Sequence, residues 1–293
     1  MRALSCFDRS FRLVSMASVS LFILAGCSGN KPKTHLVYEE RPVEALYNAG
    51  MTRLDNKEWS DANDYFQEVE RQHPYSEWSR RSIVMEIYAN YQAGKYEESS
   101  AAADHFISLY PGSAQTPYAF YMKANNAFEQ IVDVGRDQDS TVQARTMLND
   151  VIKRYPNTEY AKDSRFKLDM VYDQLAGKEM TIGRYYLNEK QPLSAIGRFK
   201  TVISTYQTTS HTPEALYRLV EANMMLGLVD EATRNAAVLG YNYPGDHWYK
   251  AAYDLLKTRG HAPDVKPDPN GAKGPQAPDK KKKNWLSSLV PHL

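Results

Sequence analysis

Cys27 has the plainest chemistry in this 293-residue chain. It follows Leu24-Ala25-Gly26, so small side chains leave room for a peptidase and the thiol can take a diacylglycerol. Little else points to catalysis. The sequence carries no Gly-rich phosphate loop, no G-x-S-x-G and no H-E-x-x-H. The histidines at 35, 73, 105, 211, 247, 261 and 292 have no partner at the i, i+3 or i+4 spacing that would build a metal site on a helix. Carboxylates such as Glu97, Glu98, Asp163 and Asp169 fall on helix faces, where solvation is expected. An acylated Cys27 is no nucleophile. The sequence therefore predicts a protein that is not an enzyme, with no catalytic residue, metal or cofactor.

The residues around Cys27 form an address. Arg2, Arg9 and Arg12 precede an apolar run from Leu13 to Leu24. That run is shorter than the roughly 20 residues a spanning helix needs. Basic, apolar and small-Cys elements in this order resemble the lipobox of bacterial lipoproteins, so residues 1–26 read as a cleaved signal and Cys27, not Cys6, as the first mature residue. Ser28 stands where an Asp would favour the inner membrane, which points to the outer membrane. Each buried acyl methylene contributes about 0.8 kcal/mol, so the lipid chains anchor a protein that does not cross the bilayer. Residues 27–41 are expected to form a lipidated polar tether.

Charge is distributed unevenly. The first 26 residues carry +2, and the stretch from Lys257 onward holds eight basic against three acidic side chains, or +5. The whole chain is +1, which leaves residues 27–256 at −6. An acidic body is a poor nucleic-acid binder, because phosphate contacts need clustered Lys and Arg. From 257 to 293 the composition turns to Pro, Gly and Lys and predicts a disordered tail. Its end, Lys280 to Lys283 followed by Trp285, Leu286, Leu289 and Val290, reads either as solvated chain or as a motif for anionic lipid or a partner groove.

The elements that must hold any site are helical. His73-Pro74-Tyr75-Ser76, Tyr110-Pro111-Gly112-Ser113, Tyr155-Pro156-Asn157-Thr158 and Tyr243-Pro244-Gly245-Asp246 share one grammar. Proline stops a helix because it cannot donate its i→i−4 bond, and the Ser, Thr or Asp can cap the next one. Between them, apolar residues recur at helical spacing. Gly50, Ala62, Phe66 and Pro74 match the tetratricopeptide pattern, and related sets follow at Tyr96/Ser99/Phe106/Pro111, Ala144/Leu148/Val151/Pro156, Gly183/Ala195/Phe199/Val202 and Leu216/Ala232/Leu239/Pro244. There are departures: Ile87 stands where a small residue is expected, Ala236 fills an aromatic slot and Gln207 replaces proline. About eight extra residues near Gly135–Ser140 predict a longer loop. A helical segment from Thr158 to Ala176 stretches the spacing between the third and fourth units. The fold predicted over 42–256 is an all-α tetratricopeptide-repeat solenoid of about five helical hairpins.

In such an array the first helix of each hairpin lines a concave face. Tyr47, Met51, Leu54, Arg81, Val84, Tyr88, Tyr91, Tyr118, Tyr121, Asn125 and Phe128 are expected there. Tyr47, Arg81, Tyr88, Tyr91, Tyr121 and Asn125 make the candidate groove for an extended peptide, with Arg81 and Lys123 available to a terminal carboxylate.

Leu24-Ala25-Gly26-Cys27, the tether, and the elements Trp59-Ser60-Asp61-Ala62 and Tyr96-Glu97-Glu98-Ser99 together resemble the BamD (ComL) family of outer-membrane assembly lipoproteins. The resemblance runs from Cys27 to about Leu256. It implies residence on the periplasmic face of the outer membrane and partnership with a BamA-type insertase through its POTRA domains and with other machine subunits. It further implies handling of unfolded β-barrel clients, whose C-terminal targeting segments meet the N-terminal repeats. Arg198 holds the place of the family's basic residue facing the insertase. The rival reading is a periplasmic adaptor for cell-wall or division enzymes.

Overall fold

The computed structural model describes residues 40–261. The signal 1–26, Cys27, most of the tether and nearly all of the tail lie outside the described residues. Among the described residues every regular element is a helix. In chain order they are α1 Val43–Asp55, α2 Trp59–Gln72, α3 Glu77–Gln92, α4 Tyr96–Leu109, α5 Thr116–Glu129 and α6 Asp139–Arg154. These are followed by α7 Glu159–Asn188, α8 Pro192–Thr205, α9 Thr212–Met225, α10 Val229–Asn242 and α11 His247–Thr258. Each packs chiefly on its neighbours in sequence, as stacked hairpins do.

The proline segments end helices as their residues dictate, but in two ways. After α2, α6 and α10 the turn is short: Ser76, Thr158 and Asp246 cap the next helix, accepting from Ser79 N at 3.0 Å, Ala161 N at 3.2 Å and Trp248 N at 2.8 Å. After α4 and α8 the turn is longer. Ser113 is not the cap there; α5 begins at Thr116-Pro117 and α9 at Thr212-Pro213, with proline in the first turn where no N–H is needed. Thr116 Oγ1 donates back to Tyr110 O at 2.7 Å, and Thr209 Oγ1 donates to Tyr206 O at 2.8 Å. This second bond fastens the turn at Gln207 without a proline.

Within hairpins, large and small residues are matched. A Cβ on Gly50 would stand 2.7 Å from the Phe66 ring, and one on Gly183 would run into Phe199. The same two positions hold Ile87 with Ala103 and Val220 with Ala236, all fully buried. The departures at Ile87 and Ala236 are therefore compensated by their partners. Ser99 Oγ donates to Ile87 O at 2.9 Å where α4 crosses α3.

The stretched third-to-fourth spacing takes an unexpected form. No separate helix ends near Ala176: α7 runs unbroken for 30 residues, because it holds no proline and its two glycines, Gly177 and Gly183, are buried within the helix. Its first half packs on α5 and α6, and its second half pairs with α8. The extra residues before α6 form the loop 130–138, tied to α7 by Gln174 Nε2 donating to Val132 O at 2.7 Å.

Candidate functional site

The residues expected on one face divide into an accessible set and a buried set. Arg81, Tyr88 and Tyr91, all on α3, keep part of their side chains at the surface. Tyr88 meets Trp59 edge-on at 6.4 Å, and Tyr91 lies 5.8 Å from Tyr96. Tyr91 Oη donates to Glu129 Oε1 at 3.3 Å. Arg81 lies over Trp78 at 5.5 Å and bonds Glu77 Oε1 at 2.9 Å. The face thus has a cationic end at Arg81 and an anionic end at Glu129. Its two α3 ends are about 15 Å apart at 1.5 Å rise per residue.

Tyr47, Tyr121 and Asn125 lie elsewhere: all are buried, Tyr121 and Asn125 completely. Tyr47 packs between Phe66 and Trp78. Tyr118 is likewise buried, beside Tyr160. For Tyr118, Tyr121 and Asn125 the cause is the first half of α7, which covers α5. Lys123 pairs with Asp104 Oδ1 on α4 and so leaves the face altogether.

Under that cover lies a polar cluster that the sequence reading missed. Lys167 Nζ donates to Tyr121 Oη at 2.9 Å and to Asn125 Oδ1, and it pairs with Asp163 Oδ2 at 3.0 Å. Tyr121 Oη donates to Asp163 at 2.6 Å. The Asp163 and Lys167 side chains are each 8% exposed, so Asp163 is not the solvated carboxylate expected. Burial, then the Asp163 charge, pushes the Tyr121 phenol far up, so it remains a donor. Burial pushes Lys167 down, while Asp163 and Glu129 hold its charge in place. The i, i+4 spacing of Asp163 and Lys167 was the available signal; their burial was not. Glu97, Glu98 and Asp169 are exposed as expected.

Arg198 on α8 points to α7 and pairs with Glu179 Oε2 at 3.3 Å, with 43% of its side chain exposed. No group of three His, Cys, Asp or Glu among the described residues could hold a metal ion. No helix among them is long and apolar enough to cross a membrane.

A family model described as "Outer membrane lipoprotein" matches residues 39–239. The chain is 63% identical over 250 residues to a curated protein of Caulobacter vibrioides named outer membrane protein assembly factor BamD, covering 85% of this chain and 82% of that one. It is 45% identical over 246 residues to the protein of the same name from Rickettsia prowazekii, covering 84% and 97%. Among solved structures, a thermophilic TPR protein of Thermus thermophilus aligns at 14% identity with a TM-score of 0.34, covering 74% of this chain and all of that one. The chain belongs to the outer-membrane lipoprotein family that contains the assembly factors named BamD.

Proposed function

We propose that the protein serves as the repeat-protein subunit of an outer-membrane β-barrel assembly machine, receiving unfolded barrel clients and scaffolding a BamA-type insertase together with the other subunits. The observation that carries this is the 63% identity to a curated assembly factor over 85% of the chain. The rival role as an adaptor for cell-wall or division enzymes has no comparable support among the relatives. In this reading Cys27 is lipidated and fastens the chain to the periplasmic face of the outer membrane. Arg198 exchanges Glu179 for an acidic partner on the insertase. Both its side chain and that of Glu179 keep some solvent exposure, so the exchange loses little.

The accessible α3 face receives the client's extended C-terminal segment. Tyr88 and Tyr91 offer flat apolar surface with polar tips. Arg81 takes the terminal carboxylate, releasing Glu77, whose side chain is 60% exposed. Tyr47, Tyr121 and Asn125 support that face from beneath. The test is affinity for a barrel C-terminal peptide: Tyr88→Ala with Tyr91→Ala weakens it by about tenfold or more, a loss typical of aromatic anchors. Unchanged affinity with intact helicity removes the groove. Affinity purification from detergent-solubilised envelopes tests the larger role, since an insertase must co-purify and cell-wall synthases must not.

A further inference from the structure

The accessible α3 face presents aromatic rings beside negative charge. Tyr91 and Tyr96 stand at the Tyr91–Glu129 hydrogen bond, and Tyr88 lies one turn away on α3, against Trp59. Glu97 and Glu98, next to Tyr96, are exposed and form no salt bridge among the described residues. Glu129 also ends α5, where unpaired carbonyls add partial negative charge. Faces of this kind favour a ligand that alternates cations with flat apolar groups, because ring faces attract cations and Glu129 adds a full charge.

One such ligand is already attached. Lys280 to Lys283, followed by Trp285, Leu286, Leu289 and Val290, joins four cations to an indole and three aliphatic side chains. The last helix among the described residues ends at Thr258, and nineteen residues separate Gly260 from Lys280. That stretch includes five prolines, at 263, 267, 269, 275 and 278. Extended at about 3.1 Å per residue it reaches roughly 60 Å. From α11 back to α3 there are four steps between first helices, about 40 Å at roughly 10 Å per step, and the offset between the two halves of the 30-residue α7 adds a shift of about 20 Å along its axis. The reach suffices without rearranging any helix.

We propose that residues 280–290 of the same chain dock on the α3 face, with the lysines at the Glu129 end and Trp285 against Tyr88 and Tyr91. Arg81 repels the lysines from the other end and so sets the direction. That the segment competes there with client chains rests on the reading of the groove given above; that it occupies the face does not.

The test uses the full mature chain with Trp285 replaced by the photo-cross-linker p-benzoylphenylalanine. Cross-links within one chain to 88–96 and 125–129 are expected. Glu129→Lys lowers their yield several-fold, and reversing Lys280 to Lys283 to Glu in that background restores it. Cross-links elsewhere on the body, between two chains, or only to lipid overturn the proposal. A second measurement leaves the face unaltered. Removing residues 280–293 must raise hydroxyl-radical labelling of Tyr88, Tyr91 and Tyr96, and unchanged labelling also overturns it. The same truncation should raise affinity for a client peptide several-fold. If the cross-links form but that affinity stays put, the client reading of the groove fails and the docking stands.

Discussion

Tyr118 is buried and its hydroxyl has no hydrogen-bond partner among the described residues. A buried polar group without a partner costs about 1–3 kcal/mol. Tyr118→Phe should therefore leave stability at pH 7 unchanged or raise it by about 1 kcal/mol, read from urea unfolding. Its pH dependence follows from the same burial. Desolvation pushes the Tyr118 and Tyr121 phenols up from 10.0, so the folded chain keeps protons that the unfolded chain releases. Their contribution is complete below pH 10 and is lost as pH rises beyond it. Lys167 has the opposite sign: its folded value is pushed below 10.5, so its contribution grows with pH until the unfolded lysine also deprotonates. The wild type should lose stability above about pH 10.5, and Tyr118→Phe should lose less. Equal slopes for the two proteins would mean that Tyr118 ionises freely in the folded state. At this scale the site was only partly legible. Helical spacing placed Arg81, Tyr88 and Tyr91 on the accessible face. It could not reveal that Tyr121 and Asn125 are capped, because the residues that cap them lie 42 or more positions away, at Asp163 and Lys167.

Between paired helices, stability rests on matched volumes. Adding a methyl at Gly183 forces it into the Phe199 ring and should cost about 1–3 kcal/mol. Phe199→Ala alone opens a cavity and should cost about 3–5 kcal/mol. Units two and five already hold the reversed arrangement, Ile87 with Ala103 and Val220 with Ala236. The double variant Gly183→Val with Phe199→Ala should accordingly be less destabilised than the sum of its single changes, by about 1 kcal/mol or more in a double-mutant cycle. Strict additivity would show that the two positions do not share a volume. The helices and their turns were the most legible part of the molecule, because Tyr-Pro segments and capping residues act locally. The misread cap at Ser113 has a local cause too: Thr116-Pro117 starts a helix as well as Ser113 would, a few residues further on.

Across the whole array, α7 belongs to two hairpins at once. Its first half carries Asp163 and Lys167 against α5; its second half carries Gly183 against α8 and Arg184 against Glu214 on α9, 2.9 Å away. Repeat proteins unfold according to nearest-neighbour coupling, so an unbroken helix shared by two units should make them melt together. Thr181 is exposed in the second half of α7. Thr181→Pro removes a helix bond and should cost about 3 kcal/mol or more. It should also split a single thermal transition, followed by far-UV circular dichroism, into two. A lowered but still single transition would place the coupling outside α7. The sequence revealed helix on both sides of Ala176 but not the join, because repeat spacing marks where units begin and says nothing about whether a turn separates them.

The alternation of bulky and small partners also acts during folding. Were α4 to take the place of α2 against α1, Gly50 would face Ala103 and leave a hole; were α3 to take the place of α1 in the hairpin with α2, Ile87 would collide with Phe66. Hairpins of similar length and chemistry thus become mutually incompatible, and a newly made chain carries its own safeguard against exchanging one hairpin for the next.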